Sequence, residues 1–325
     1  MPLVLEPILK PKPWGGRRLA RLFGKEAGGG GPIGESWEVA DLPGNESRVA
    51  GGPLAGQPLR GLMDRWGGDL IGRTRAVGAR FPLLLKFLDA GQPLSVQVHP
   101  SGRSAHAGAQ PAGLKHEAWY VVDADPGSVL FIGCKPGVGL EDVARATPTA
   151  ALVDLLCRRP ARRGACYYLP AGVPHALGAG LLVAEVQTPS DVTYRLYDWE
   201  RPGLDGRPRE LHIEQALANL RCDIPEEQIA QPRVQSDDSL SAATKLVGCD
   251  RFVLTRRRLP AGLTREFRGG EMAIWMILVG SCVLSRKGYR TEIERGNTVL
   301  IPAVAARLRV ETTTDCELLE VRIPA

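Results

Sequence analysis

What this 325-residue chain lacks narrows its possibilities first. It has no apolar run long enough to span a bilayer, since the longest, AIWMILVG at residues 273 to 280, falls far short of the roughly 20 residues required. Its opening, MPLVLEPILKPKPWGG, carries prolines where a signal peptide needs a continuous apolar region, so neither secretion nor membrane insertion is expected and a cytoplasmic location is. The seven cysteines, at 134, 157, 166, 222, 249, 282 and 316, form no CxxC pair, and their odd number suits free thiols in a reducing compartment. No basic stripe is present either: 41 Lys and Arg against 36 Asp and Glu leave +5, scattered apart from short groups such as Arg256 to Arg258, which argues against nucleic acid as a partner. Histidine is also missing from everything after residue 212.

Glycine and proline, in contrast, are plentiful. Thirty-eight glycines and 26 prolines punctuate short runs rich in β-formers: SVQVHP, AWYVV, SVLFIG, YYLPAG and LLVAEVQT. That rhythm predicts a mainly β, antiparallel sandwich or barrel. Helical periodicity is confined to LRGLMDRWGGDLIG after residue 58, GLEDVARATPTAALVDLLCR from Gly139 with a break at Pro148, and ELHIEQALANLR from Glu210. The length favours two domains. The polar, aperiodic segment at 224 to 242 is the natural linker, giving domains of 1–230 and 231–325. A faint internal repeat supports this division. LPAGVPHAL at 169 to 177 is echoed by IPAVAARLR at 301 to 309, and EAWYVVDADPGSVLFIG by AIWMILVGSCVLSRKG, with Trp119 against Trp275. In the second copy Ala273 stands where Glu117 does, and Val304 and Arg307 stand at the glycine and histidine positions.

LSVQVHP, residues 94 to 100, alternates apolar and polar residues, which places Ser95, Gln97 and His99 on one face of a strand. With Glu117 entering the next strand and His175 following a Pro-x-Gly turn, the first copy holds two imidazoles, a carboxylate and an amide. This donor set suits zinc or a similar first-row ion, and the absence of thiolates argues against a closed structural site. Spacing alone leaves a second reading open, in which His99 and His175 are unrelated half-buried histidines, each satisfied by a backbone carbonyl. Pro-x-Gly-x-x-His within PAGVPHAL matches the second motif of cupin jelly rolls, with Gln97-x-His99 standing where their His-x-His is usual.

The chain resembles the type I mannose-6-phosphate isomerases (phosphomannose isomerases), and in particular their short prokaryotic branch. PKPWGG at 11 to 16, GESWE at 34 to 38, PLLLKFLDAGQPLSVQVHP at 82 to 100, LKHEAWYV at 114 to 121, LPAGVPHAL at 169 to 177 and EVQTPSDVTYRLYDWER at 185 to 201 run in family order. The resemblance implies two cupin-like jelly-roll domains with a few helical excursions, the second without metal ligands. It also implies one zinc ion per chain, held by Gln97, His99, Glu117 and His175. Arg195 falls on the catalytic arginine, while Glu35, Lys86, Ser95, Lys115, Glu185, Asp191 and Arg201 fall on other pocket positions. Trp14 and Trp37, aromatic residues near glycines, are candidates either to line the pocket mouth or simply to pack. His106 and His116 are loop histidines outside the metal set. The large helical insertion of longer family members is absent, so any lid must come from loops such as 101 to 114.

The implied reaction interconverts mannose 6-phosphate and fructose 6-phosphate by moving a proton between C1 and C2 through an enediol. A metal and a fixed guanidinium would stabilise the developing oxygen charge. Lys115, Glu185 and Asp191 are the candidate proton-transfer groups, and Arg195, Arg201, Lys86 and Lys115 compete for the phosphate. The partner is then a small sugar phosphate, and the protein itself a monomer or weak homo-oligomer. Two alternatives are a non-catalytic sugar-binding or regulatory cupin and an isomerase or epimerase of another phosphosugar.

Overall fold

The computed structural model describes residues 1–28, 31–72, 80–102, 114–229, 242–267, 270–305 and 307–324. His106 and most of the proposed lid and linker lie outside these residues. All strand pairing among the named strands is antiparallel, as the turn-punctuated sequence predicts. In the first sandwich, a six-stranded sheet runs in the order Cys166–Leu169, Glu117–Ala124, Leu181–Gln187, Leu84–Ala90, Glu35–Val39 and Ile8–Lys10. It faces a five-stranded sheet of Leu156–Pro160, Val129–Cys134, His175–Leu177, Val96–Val98 and Tyr194–Tyr197. A second sandwich repeats the plan with a six-stranded sheet that includes Ala273–Val279 and Cys316–Arg322 and a four-stranded sheet that includes Ser281–Arg286 and Leu308–Glu311.

Strand parity explains how these sheets are stacked. Alternate residues of the first six-stranded sheet, among them Leu85, Phe87, Ala118, Tyr120, Ala184 and Val186, join Ile274, Met276, Leu319 and Val321 of the second in one buried core. Their neighbours Leu88, Trp119, Val121, Leu181 and Val183 face inward to the first sandwich's own core. The two six-stranded sheets are therefore covered on both faces, which is why Leu84–Ala90 and Leu181–Gln187 are buried at every position. Within these apolar strands, Lys86 and Glu185 are polar residues that line the site described below.

Helices form where the periodicity places them. Leu59–Ile71 buries Leu59, Leu62, Met63, Leu70 and Ile71 in the shared core. The segment from Gly139 forms Leu140–Ala146 and Ala151–Asp154, divided around Pro148. Ile213–Asn219 lies at the end of the five-stranded sheet. The short helix Arg18–Phe23 has too few residues to give a period.

The N-terminal strand Leu3–Leu5 pairs with Thr298–Ile301 of the second sandwich, so a strand from before the proposed division at 230 and 231 completes a sheet formed after it. A buried ion pair reinforces that pairing. Glu38 receives the Lys25 ammonium at 2.5 Å, the Ser36 hydroxyl at 2.5 Å and, from the second sandwich, the Thr298 hydroxyl at 2.8 Å. Glu38→Gln keeps the shape but leaves the Lys25 ammonium buried without a counter-charge, and should cost about 3–5 kcal/mol. Urea unfolding measures it; an unchanged midpoint would mean that Lys25 escapes to solvent and that the pair does not tie the sandwiches together.

Candidate active site and metal centre

The central feature grows from three neighbouring strands of the five-stranded sheet and the facing strand Glu117–Ala124. The strand holding Gln97 covers only Val96–Val98, shorter than the alternation suggests, yet Ser95 Oγ donates to Gln97 Oε1 at 3.3 Å, keeping the expected common side. His175 opens its strand directly opposite Gln97, and Arg195 pairs with Gln97 from the other side. These registers bring residues 97, 175 and 195 side by side although they are far apart in the chain.

His99, Glu117 and His175 form a buried group whose ligand atoms all lie within 4.8 Å of one another. His99 Nε2 is 3.0 Å from Glu117 Oε1, and His175 Nε2 is 3.7 Å from Glu117 Oε2. The backbone turn fixes the His175 ring: its Nδ1–H donates to the Val173 carbonyl at 2.9 Å, which leaves Nε2 as the lone-pair atom facing the cluster. Burial drives both imidazoles neutral, lowering His99 to about 3 and His175 below its usual value. Burial alone would raise Glu117, but His99 and Lys115 outweigh it and hold the carboxyl well below its usual range.

The fit to a cation rests on atoms otherwise left costly. Both His99 nitrogens and Glu117 Oε2 are buried without a good hydrogen bond. Gln97 Nε2 approaches His175 Nε2 at 3.1 Å, and exchanging the near-isosteric amide N and O turns an acceptor toward the cluster. Neutral imidazoles, a carboxylate and an amide oxygen around one point suit a divalent first-row metal. Among the described residues no other group of three or more His, Cys, Asp or Glu side chains converges in this way.

Through Glu117 and Gln97 this cluster adjoins a polar cavity of about 270 Å³. Its walls include Trp14, Glu35, Lys86, Ser95, Gln97, Lys115, Glu117, Glu185, Asp191 and Arg195, so most of the sequence-predicted residues meet there. Lys115 Nζ lies 3.1 Å from Glu117 Oε1. Glu185 accepts the Trp119 indole N–H at 2.9 Å and lies 3.4 Å from Lys86 Nζ. Burial, aided by the charge of Glu117 and opposed by Lys86 and Lys115, pushes Glu185 up to about 7. Against burial, Glu185 and Glu35 hold Lys86 above its usual value. Arg195 donates to the Glu210 carbonyl at 2.7 Å, and burial together with nearby Arg209 lowers its pKa.

Arg201 is not brought to this cavity. Its guanidinium donates to Asp198 Oδ1 at 2.7 Å and to the Pro93 carbonyl, beneath a turn in which Trp199 (φ 58°) and Glu200 (φ 55°) both adopt the left-handed region. Asp198 also grips Arg209, which does line the cavity. Trp37 is buried beside it, its indole N–H donating to Glu35 at 2.6 Å. His116 bonds the Tyr168 hydroxyl at 2.8 Å, outside the metal cluster. The sequence reading missed Lys12, Thr193, Arg209 and His212 as lining residues. Lys12 sits within PKPWGG, Arg209 immediately precedes the helix pattern at 210 to 221 and His212 lies within it, so proximity to motifs already noted was the available signal.

A buried His–Glu–His cluster beneath a pocket of paired acids and bases, set in a double β-sandwich, defines the class: an enzyme with a candidate metal centre. Comparison with known proteins specifies it further. Residues 3–123 match the model for the catalytic domain of type I phosphomannose isomerase. The mannose-6-phosphate isomerase of Streptococcus mutans is 37% identical over 224 residues, covering 69% of each chain. Mannose-6-phosphate isomerase ManA of Bacillus subtilis is 30% identical over 315 residues, covering 97% of each. The crystal structure of the Bacillus subtilis mannose 6-phosphate isomerase superposes with a TM-score of 0.89 at 28% identity, covering 99% of both chains. The chain belongs to the type I phosphomannose isomerase family and is an aldose–ketose isomerase.

Proposed function

We propose that this protein interconverts mannose 6-phosphate and fructose 6-phosphate with one zinc ion, by proton transfer through an enediol. The observation that carries the reading is the convergence of His99, Glu117 and His175, beside Gln97, at the base of a pocket that also contains Glu185, Lys115 and Arg195. A bound zinc ion would supply Lewis-acid stabilisation of the negative charge that develops on the substrate oxygens at C1 and C2. All other steps fall to side chains of this chain.

Arg195, held by the Glu210 carbonyl and by its strand pairing to Gln97, presents a fixed cation next to the metal ligands, suited to the same developing charge. Glu185, Asp191 and Lys115 supply the proton-transfer groups. Glu185 is favoured by its elevated pKa, because a carboxyl near 7 both accepts and returns a proton at neutral pH. Ser95, Glu35, Lys86 and Trp14 are assigned to substrate hydroxyls and ring. Asp198 binds both Arg201 and Arg209, but only Arg209 lines the cavity, so for the phosphate we replace Arg201 with Arg209, whose charge is close enough to depress Arg195. Two neighbouring guanidiniums favour a dianion.

A coupled assay with each sugar phosphate tests this reading. Conversion in both directions is expected, lost on chelation and restored by stoichiometric zinc. Full activity after verified metal removal would contradict the metal dependence, and turnover of other phosphosugars in preference to these two would contradict the substrate assignment.

A further inference from the structure

The second sandwich carries a feature that the proposed reaction does not use. A cavity of about 580 Å³ opens there, within the usual range of small-molecule pockets, roughly 300–1,000 Å³. Its place in the fold corresponds to that of the isomerase pocket. In the first sandwich Trp119 stands opposite Glu185 across paired strands and donates its indole N–H to that carboxylate at 2.9 Å. In the second, Trp275 stands opposite Glu320 and donates at 3.0 Å. The two sandwiches thus share a tryptophan–glutamate pair at matching positions, while the second has Ala273 at the start of the strand where Glu117 begins the other.

Arginine has come in instead. The buried Glu320 carboxylate accepts from Arg257 Nη2 at 2.9 Å and from Arg322 Nε at 2.9 Å, as well as from Trp275. Two guanidiniums share one carboxylate, and Arg265 adds a third in the cavity wall. Glu266 lines the wall as well, and Glu271 pairs with the outer end of Arg322 at 2.9 Å. Arg257 Nε is buried with no hydrogen-bond partner, a donor whose cost a ligand acceptor would relieve. The rest of the lining is apolar or aromatic. Phe267 and Trp275 meet edge to face at 5.2 Å, and the Arg322 guanidinium lies 5.4 Å over the Phe267 ring. Leu259 and Leu263 continue this surface.

Guanidinium forks select phosphate or carboxylate oxygens, and flat aromatic walls beside aliphatic ones select the apolar face of a ring. We infer that this cavity is a second ligand site, metal-free, that takes a ring-bearing phosphate monoester such as a sugar phosphate. Among the described residues it has no converging set of metal ligands such as the isomerase pocket holds, so it binds and releases its ligand unchanged.

Equilibrium dialysis of the full-length protein with radiolabelled glucose 6-phosphate tests it. Wild type should bind one equivalent that chelation does not remove. Arg265→Glu and Leu263→Trp should each abolish that equivalent, the first by reversing charge and the second by filling space, while isomerase turnover stays at wild-type level and certifies the fold. Unphosphorylated glucose should fail to compete. The inference is overturned if wild type binds only a chelation-sensitive equivalent, if the chelation-resistant equivalent survives in a variant of normal turnover, or if glucose competes as well as its phosphate.

Discussion

Replacing Arg195 by alanine should lower turnover by about two or more powers of ten, the usual scale for removing a positioned electrostatic group from a transition state. The side chain is placed for this effect. It projects from Tyr194–Tyr197, directly across from Gln97, with its Nη1 anchored on the Glu210 carbonyl. Its Nε is buried without a partner in the protein, so one arm of the fork is held and another donor is uncommitted. No carboxylate ion-pairs with Arg195 among the described residues, in contrast to Arg201 and Arg209, both of which are bound to Asp198. The variant should therefore keep its metal and unfold near the wild-type temperature. Arg195→Lys should restore little, because a point charge does not reproduce a planar fork. Near-normal turnover in either variant would return Arg195 to a structural role, tying its strand to the segment that carries His212.

A still larger loss is expected when the metal ligands are removed. In a Gln97→Ala, His99→Ala, His175→Ala variant, turnover should fall by several powers of ten, since Lewis-acid stabilisation contributes several kcal/mol and each 1.36 kcal/mol is about tenfold. Elemental analysis should find one stoichiometric ion in the wild-type chain and none in the variant. The imidazoles alone explain why ion and activity go together: Glu117 by itself, neutralised by Lys115 at 3.1 Å, is a weak cation site. Retention of the full ion by the triple variant would move the metal elsewhere. Two stoichiometric ions in wild type would require a second site that the described residues do not offer.

The parts of this protein that were legible in the sequence share a physical cause: short-range periodicity and turn chemistry write directly into the chain. The alternation in LSVQVHP set Gln97 and His99 on one side, and the Pro-x-Gly turn before His175 fixed that ring through the Val173 carbonyl. The pairing of Trp119 with Trp275 reappears as two indole–carboxylate bonds in matching registers. Long-range choices were not legible. Arg201 and Arg209 look equivalent in sequence, and only the fold shows that Asp198 binds both while Arg209 alone reaches the cavity wall. Likewise no local pattern announces that the Leu3–Leu5 strand completes a sheet of the second sandwich, or that Lys12 turns toward Glu35 at 3.2 Å. These placements depend on partners hundreds or tens of residues away.

The route of the hydrogen tests the account most directly. Glu185, Asp191 and Lys115 surround the proposed metal centre as titratable groups, which proton abstraction requires and a direct hydride shift would leave idle. Run in heavy water from fructose 6-phosphate, the enzyme should place solvent deuterium at C2 of the mannose 6-phosphate it forms, because the group that takes the C1 proton exchanges it before protonating C2. Mannose 6-phosphate carrying no deuterium at C2, even after prolonged equilibration with active enzyme, would contradict the enediol and the roles assigned to these three side chains.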